Sequence, residues 1–443
     1  MTRQRPPTDL LDSLRDHSVA LEPTSPDADY GDLRAFDPVF EGVDVVGLGE
    51  ATHRTREFVH LKGRLVRYLA DVHGFGALAL EAPFSETVAL DAYVREGAGA
   101  LHECVAALGL SMYETAEALA CFESLRAYNE GRPRQERIAV YGIDVQSAAG
   151  AAAALREWLL GDDTDADRPA FRDDRLLDDL DRVADGVFTG EDVDTDRLRA
   201  AERVADALAA WFEAERDGDA ERDGGAERDG SGAAAALARR HVRTLQQACA
   251  FARTGVEADR TAQWGLRDEF MAENAAWVRD HAATGGVAVW AHNNHVKTGR
   301  LGGDGHPSRT TGDRLAARYG DGYYALGAQF ATGSVRAYAP TDGDGVEYDG
   351  ATLAMTELSV PEPDGGAVPG LLAEIDAPAL LLDYRSLPAD SPLRDWLAAE
   401  RPHRSVAGIV HPDDEDAFSR THRSLDVFDG VFFVDEATPT TPL

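Results

Sequence analysis

Four short apolar runs in this chain each lead, at their end or within a few residues of it, to a carboxylate or a histidine, and that pattern limits the fold more than any other feature. The runs are Val43–Gly47, Ala77–Glu81, Ile138–Ile143 and Val287–Trp290, and the residues at or just past their ends include Glu50, His53, Glu81, Asp144, His292 and His295. Short β-branched and apolar runs bounded by glycine or polar turns read as strands buried on both faces. Helical patterns lie between them. Over Glu57–Val72 the residues Phe58, Leu61, Leu65, Tyr68 and Leu69 fall on one stripe, as a core-facing helix requires. Strand–helix alternation at both ends of the chain predicts an α/β fold with a largely parallel sheet and helices on both faces.

Further strands are expected at Tyr323–Leu326, Leu380–Asp383 and Val431–Val434, and further helices at Ser111–Asn129, Ala148–Leu160, Ala200–Ala214, Ala233–Ala252 and Arg260–Ala283. The order of these patterns divides the chain. Residues 1–83 carry the first part of an α/β core, 84–136 a helical insertion, and 137–149 a core strand with its turn. Residues 150–285 form a second helical insertion, and 286–443 the rest of the core. At 443 residues, a core with insertions is the natural reading, because single cores stop growing near ~250–300 residues. Within the second insertion the tetrapeptide ERDG occurs three times at a period of six, at 215–218, 221–224 and 227–230. Almost no apolar content accompanies it, so 215–232 is expected to be a solvated, disorder-like loop.

Bulk composition removes several classes of function. The net charge is −35 and the isoelectric point about 4.6. Nucleic acid is a poor partner for such a chain, since phosphate binding needs a basic face. Lys62 and Lys297 are the only lysines; every other basic side chain apart from histidine is arginine. An acidic, lysine-poor surface fits a salt-rich cell interior, where ions screen self-repulsion. No run of ~18 apolar residues is present, so no membrane span is expected. The first residues, MTRQRPPTDLLDSLRDH, lack the apolar stretch of a signal peptide. Cys104, Cys121 and Cys249 are scattered without metal-type spacing, and a reducing cytoplasm is the simplest compartment.

The chemistry-bearing residues are ordinary taken singly. Glu50 and His53 lie in the glycine-rich turn GLGEATH, where histidine suits a general base and a capped turn is the plain alternative. Glu81 closes ALALEAP and could orient an imidazole or cap a helix. Asp144, in YGIDVQS, could anchor a histidine or cap the following helix. His292, Asn293, Asn294 and His295 follow a buried strand, where core packing explains them poorly because buried imidazole and amide groups need partners. Taken together they are informative, since a parallel sheet brings strand ends to one edge, where open α/β sheets form their sites.

Two mechanisms fit. In a metal-free hydrolase His53 takes a proton from water, Glu81 orients His53, and His292 or His295 polarises a carbonyl or protonates the leaving alkoxide. In a metal hydrolase the E-x-x-H and H-x-x-H pairs supply ligands. The helical H-E-x-x-H signature is absent, which ranks the metal version second. Neither G-x-S-x-G nor G-x-x-x-x-G-K-[ST] occurs, so serine-hydrolase and nucleotide-binding readings are poor.

These motifs, in this order, resemble the erythromycin esterase family, which also includes proteins labelled as succinoglycan biosynthesis proteins. The resemblance runs from GLGEATHRTREF through FGALALEAP, YGIDVQS, RDEFMAEN and VWAHNNHV to GDRLAARYGDGYYALGAQFATGS and FDGVFFVDEATPTTPL. It implies a three-layer α/β/α core with a helical insertion, and metal-independent hydrolysis of a lactone. Residue by residue it implies that Glu50 and His53 are the acid and general base of G-E-x-x-H. Glu81 is implied as the glutamate closing the next strand, and His292 and His295 as the H-N-x-H pair. Lys62 falls where some members carry an active-site arginine. Lys62, Asp144 and Asn293 are thus candidate substrate-binding residues, with no cofactor or metal and a small ester or lactone as partner. The competing expectations are a non-hydrolytic protein of polysaccharide metabolism and a metal- or haem-binding protein on a similar sheet.

Overall fold

A computed structural model describes residues 6–21, 25–161, 174–184, 193–221, 231–258, 260–281, 285–301, 306–340, 353–410 and 417–443. Its strands are β1 (Ser18–Leu21), β2 (Val45–Leu48), β3 (Ala77–Pro83), β4 (Ala139–Asp144), β5 (Val287–Trp290), β6 (Tyr323–Pro340), β7 (Leu353–Val360), β8 (Ala379–Asp383), β9 (Arg401–Arg404), β10 (Ser419–His422) and β11 (Gly430–Ala437). Among the described residues the main sheet has nine strands in the order β1-β8-β11-β6-β2-β5-β3-β4, with β7 added to β6. From β4 to β11 every neighbouring pair is parallel. The antiparallel strands β8, β1 and β7 extend this parallel centre.

Alternation along each strand explains the layers. Val46, Leu48, Leu78, Leu80, Ala288 and Trp290 join one buried cluster, which takes in Phe58, Leu61, Leu65 and Leu69 of the helix Arg56–His73. Their sequence neighbours Val45, Ala77, Ala79, Val287 and Val289 join a second, with Met271, Ala275 and Val278 of the helix Arg260–His281. Successive side chains point to opposite faces of a strand, so a sheet apolar on both faces must be covered twice. The result is an α/β/α sandwich.

The helical patterns fall where expected, with local differences. Between β3 and β4 lie the helices Val88–Glu96, Leu101–Ala106 and Ala116–Asn129. The last starts five residues later than its periodicity suggests, because the Thr115 side chain accepts from the Ala118 amide and caps it there. Between β4 and β5 lie Ala149–Leu160, Asp174–Ala184, Thr195–Glu221, Ser231–Glu257 and Arg260–His281. Most of these share a separate core that includes Leu155, Leu180, Val204, Leu208 and Leu245. The ERDG segment departs from the loop expected over 215–232: helix continues to Glu221 and resumes at Ser231, and 222–230 lie outside the described residues. No described helix is long and apolar enough to cross a membrane.

Register fixes the edge that matters. Leu48 is level with Trp290, Trp290 with Leu80, and Leu80 with Gly142. Four chain crossings therefore leave the sheet side by side, carrying Glu50, Glu81, Asp144 and His292 with them. Gly49 is required at the first exit, since a Cβ there would overlap Asn293 Oδ1 and stand 2.9 Å from the Leu326 carbonyl.

Candidate active site

Glu50 organises one half of the site. Its Oε1 lies 2.7 Å from His53 Nδ1, and its Oε2 accepts from Lys62 Nζ at 2.6 Å and from Trp290 Nε1 at 3.1 Å. Lys62, from the helix Arg56–His73, has no exposed surface, and its ammonium also sits 4.6 Å over the Trp290 ring. Burial alone would raise the Glu50 carboxyl, but Lys62 and His53 outweigh it and hold it at about 2. Burial brings the Lys62 ammonium down to about 8, against the pull of Glu50. An ionised Glu50 takes the proton-bearing Nδ1 of His53 as its donor, which leaves the lone pair on Nε2. Among the described residues Nε2 has no hydrogen-bond partner, and the His53 side chain keeps 16 % of its surface exposed.

Arg267, on the helix Arg260–His281, organises the other half. Its Nη2 donates to Glu81 Oε1 at 2.8 Å and to Asp144 Oδ2 at 2.7 Å, its Nε donates to Asp144 Oδ1 at 2.8 Å, and its Nη1 lies 2.8 Å from His295 Nε2. His295 Nδ1 is 3.1 Å from both Asp268 oxygens, while Asp268 Oδ1 also accepts from the Thr311 amide and hydroxyl. Burial and the Arg267 guanidinium, whose Nη1 can only donate to Nε2, oppose a second proton on His295, while Asp268 and Glu81 favour it and raise its pKa. The Glu81 carboxyl is penalised by burial, yet His295 and Arg267 hold it well below the usual range. Its Oε2 accepts from the His292 amide at 2.8 Å.

His292 joins the halves, with its ring centroid 5.0 Å from that of His53. Its Nδ1 accepts from the Asn294 amide at 3.1 Å and its Nε2 donates to the Val406 carbonyl at 3.2 Å. Burial, then the neighbouring His53, push it down to about 3, so it is a neutral ring held in one tautomer. Asn293 faces β6, where its Nδ2 donates to the Ala328 carbonyl and its Oδ1 accepts from the Ala328 amide.

The structure thus brings together all eight residues singled out in the sequence, but it distributes them unequally. His53 presents an open ring nitrogen. The nitrogens of His292 and His295 are engaged within the protein, as are the side chains of Lys62, Asp144 and Asn293 expected to meet substrate. Glu81 reaches Arg267 and His292 rather than His53, and Glu50 takes the place at His53 Nδ1. Among the described residues no group of three or more His, Cys, Asp or Glu side chains is arranged to hold a metal ion. Sequence reading assigned no role to Arg267 and Asp268, although they open the RDEFMAEN segment; adjacent opposite charges on an apolar helix face were the available signal. It also passed over Tyr113, a buried phenol whose hydroxyl is 3.5 Å from the Glu81 carbonyl.

Known proteins share this fold. A crystal structure described as a succinoglycan biosynthesis protein superposes with a TM-score of 0.75 at 20 % identity, covering 98 % of each chain. A Bacillus cereus protein superposes with a TM-score of 0.78 at 20 % identity, covering 99 % of this chain and 100 % of its own. A mutant of the erythromycin esterase EreC, in its open conformation, gives 0.63 at 17 % identity over 96 % and 98 %. In sequence, erythromycin esterase type II of Escherichia coli is 24 % identical over 443 residues, covering 96 % of this chain and 97 % of that protein. Erythromycin esterase type I of the same organism is 35 % identical over 75 residues, 17 % of this chain and 18 % of that protein. The family model described as erythromycin esterase matches residues 71–437, and the chain belongs to that family.

Proposed function

We propose that this protein hydrolyses a carboxylic ester or lactone with water activated by His53, without a metal. The observation that carries the reading is the His53 ring itself, with Nδ1 tied to a buried, ionised Glu50 and Nε2 open. Family membership supports a hydrolase-like function in general terms. In this scheme Nε2 removes a proton from water as the oxygen attacks the carbonyl. The imidazolium that forms is stabilised by Glu50 and returns the proton to the leaving alkoxide as the tetrahedral intermediate collapses. Lys62 is a positioning residue that keeps Glu50 ionised. Arg267, Glu81 and Asp144 hold the His292–His295 turn against the sheet edge, so that the His292 ring backs His53.

The test is turnover of a panel of activated esters, lactones and a macrolide in ~2–3 M KCl, with surface charge screened. Wild type and His53→Ala are compared, each with and without chelator. Chelator-resistant turnover that disappears in His53→Ala is the expected result. No turnover by a folded wild-type protein would overturn the hydrolase reading and leave a binding role for the site.

A further inference from the structure

Most buried cations in this protein face a carboxylate or a closed set of acceptors. Lys62 meets Glu50, Arg64 meets Asp32, and Arg267 meets Glu81 and Asp144. Arg404 donates to the carbonyls of Phe330, Ala331 and Pro361, and Arg240 donates to Asn274 between the rings of Phe84 and Trp277. Arg54 is different. It is only 9 % exposed, yet its one side-chain hydrogen bond among the described residues is from Nη2 to Ser111 Oγ at 2.9 Å. No described carboxylate pairs with it, in a chain where 79 acidic residues outnumber 44 lysines and arginines. Its Nε and Nη1 have no partner among the described residues.

The position gives this cation a use. Arg54 follows His53 directly, and its carbonyl is held by the Thr440 amide. The side chain spans from Ser111, on the loop that carries Tyr113, to Tyr338 near the far end of β6, with the guanidinium carbon 5.7 Å from that ring's centre. Beside it lies an apolar patch. Tyr338, Met355 and Ile409 are 36 %, 38 % and 37 % exposed. Tyr338 pairs directly with Met355 across the β6–β7 hairpin and bridges to Ile409, which sets the three side chains together on one face.

We propose that Arg54 is a specificity residue, which together with the Tyr338–Met355–Ile409 surface selects esters carrying an oxyanion, such as a carboxylate, on an apolar body. The inference deepens the hydrolase reading and rests on it only for which end of the ligand meets His53. An arginine fork matches a carboxylate with two parallel hydrogen bonds, and partial burial strengthens that pairing relative to water.

Binding is measured in His53→Ala, so that turnover does not intervene, using monophenyl glutarate and phenyl pentanoate in ~2 M KCl. The two esters share acyl length and differ in the terminal carboxylate. The expected result is a preference of about tenfold or more for the anionic ester. It should fall to near parity when Arg54→Gln is added, and return in part with Arg54→Lys. Circular dichroism confirms that each variant is folded. Equal affinities, a preference that persists in Arg54→Gln, or no binding of either ester overturns the proposal. Failure of the hydrolase reading is seen separately, as absent turnover of both esters by the wild type.

Discussion

Lys62 Nζ and Glu50 Oε2 lie 2.6 Å apart in a place where neither side chain is more than 4 % exposed. Removing one partner strands the other charge. Lys62→Met is therefore expected to lower unfolding free energy by about 3–5 kcal/mol and to abolish any His53-dependent activity. The double variant Glu50→Gln/Lys62→Met should recover much of the stability and none of the activity. Denaturant unfolding beside turnover assays checks both.

His292 should set the acid limb of a stability–pH curve. His292 is held at about 3, below the ordinary imidazole value of ~6.5. The unfolded chain binds the extra proton in that window, so stability falls as pH drops from ~6.5 toward 3. Glu50, at about 2, adds to the loss below the usual carboxylate range. His292→Gln should flatten this acid limb, as read by unfolding at a series of pH values.

Arg267 neutralises two buried carboxylates, Glu81 and Asp144, so Arg267→Met should cost about 3–5 kcal/mol. Asp144→Asn keeps part of the hydrogen bonding and should cost about 1.5–3 kcal/mol. Thermal unfolding of the two variants should rank them in that order; the reverse ranking would show that Arg267 is not the organising group.

Gly49→Ala introduces a Cβ that overlaps Asn293 Oδ1. The amide clamp on Ala328 must open, at a cost of about 1–3 kcal/mol. The turn carrying His292 should shift with it. The readout is lower stability together with lost turnover.

Net charge −35 makes the folded state self-repelling, and the Debye length shrinks from ~10 Å at 0.1 M salt to ~3 Å at 1 M. The melting temperature should rise steadily across that range of KCl. A flat or falling profile would separate the acidic surface from any salt adaptation.

The parts of the fold legible in the sequence were those governed by one strong rule. Ala77–Glu81 and Val287–Trp290 read as strands because a strand buried on both faces is an unbroken apolar run, and parallel pairing then gathers Glu81 and His292 at one edge. Strands with mixed surroundings were harder to see. β6 runs on to Pro340 and pairs with β7, whose residues alternate between half-buried and exposed, so no apolar run marks the hairpin. Site residues at strand ends were legible and their partners were not. Lys62 stands out only through the family resemblance, and nothing local shows that Trp290 and Glu50, far away in sequence, rather than a substrate, meet its ammonium. Arg267 is 123 residues from Asp144 and 186 from Glu81, and no local pattern announces such an encounter.

Both lysines of the chain are interior, Lys62 with no exposure and Lys297 with 2 %. Enzymes that acetylate, methylate or conjugate proteins at lysine need the amine to project from the surface. The folded protein offers them no lysine acceptor. Its two ε-amines come within reach only when their surroundings open, so a lysine mark on this chain would record that a molecule had come apart.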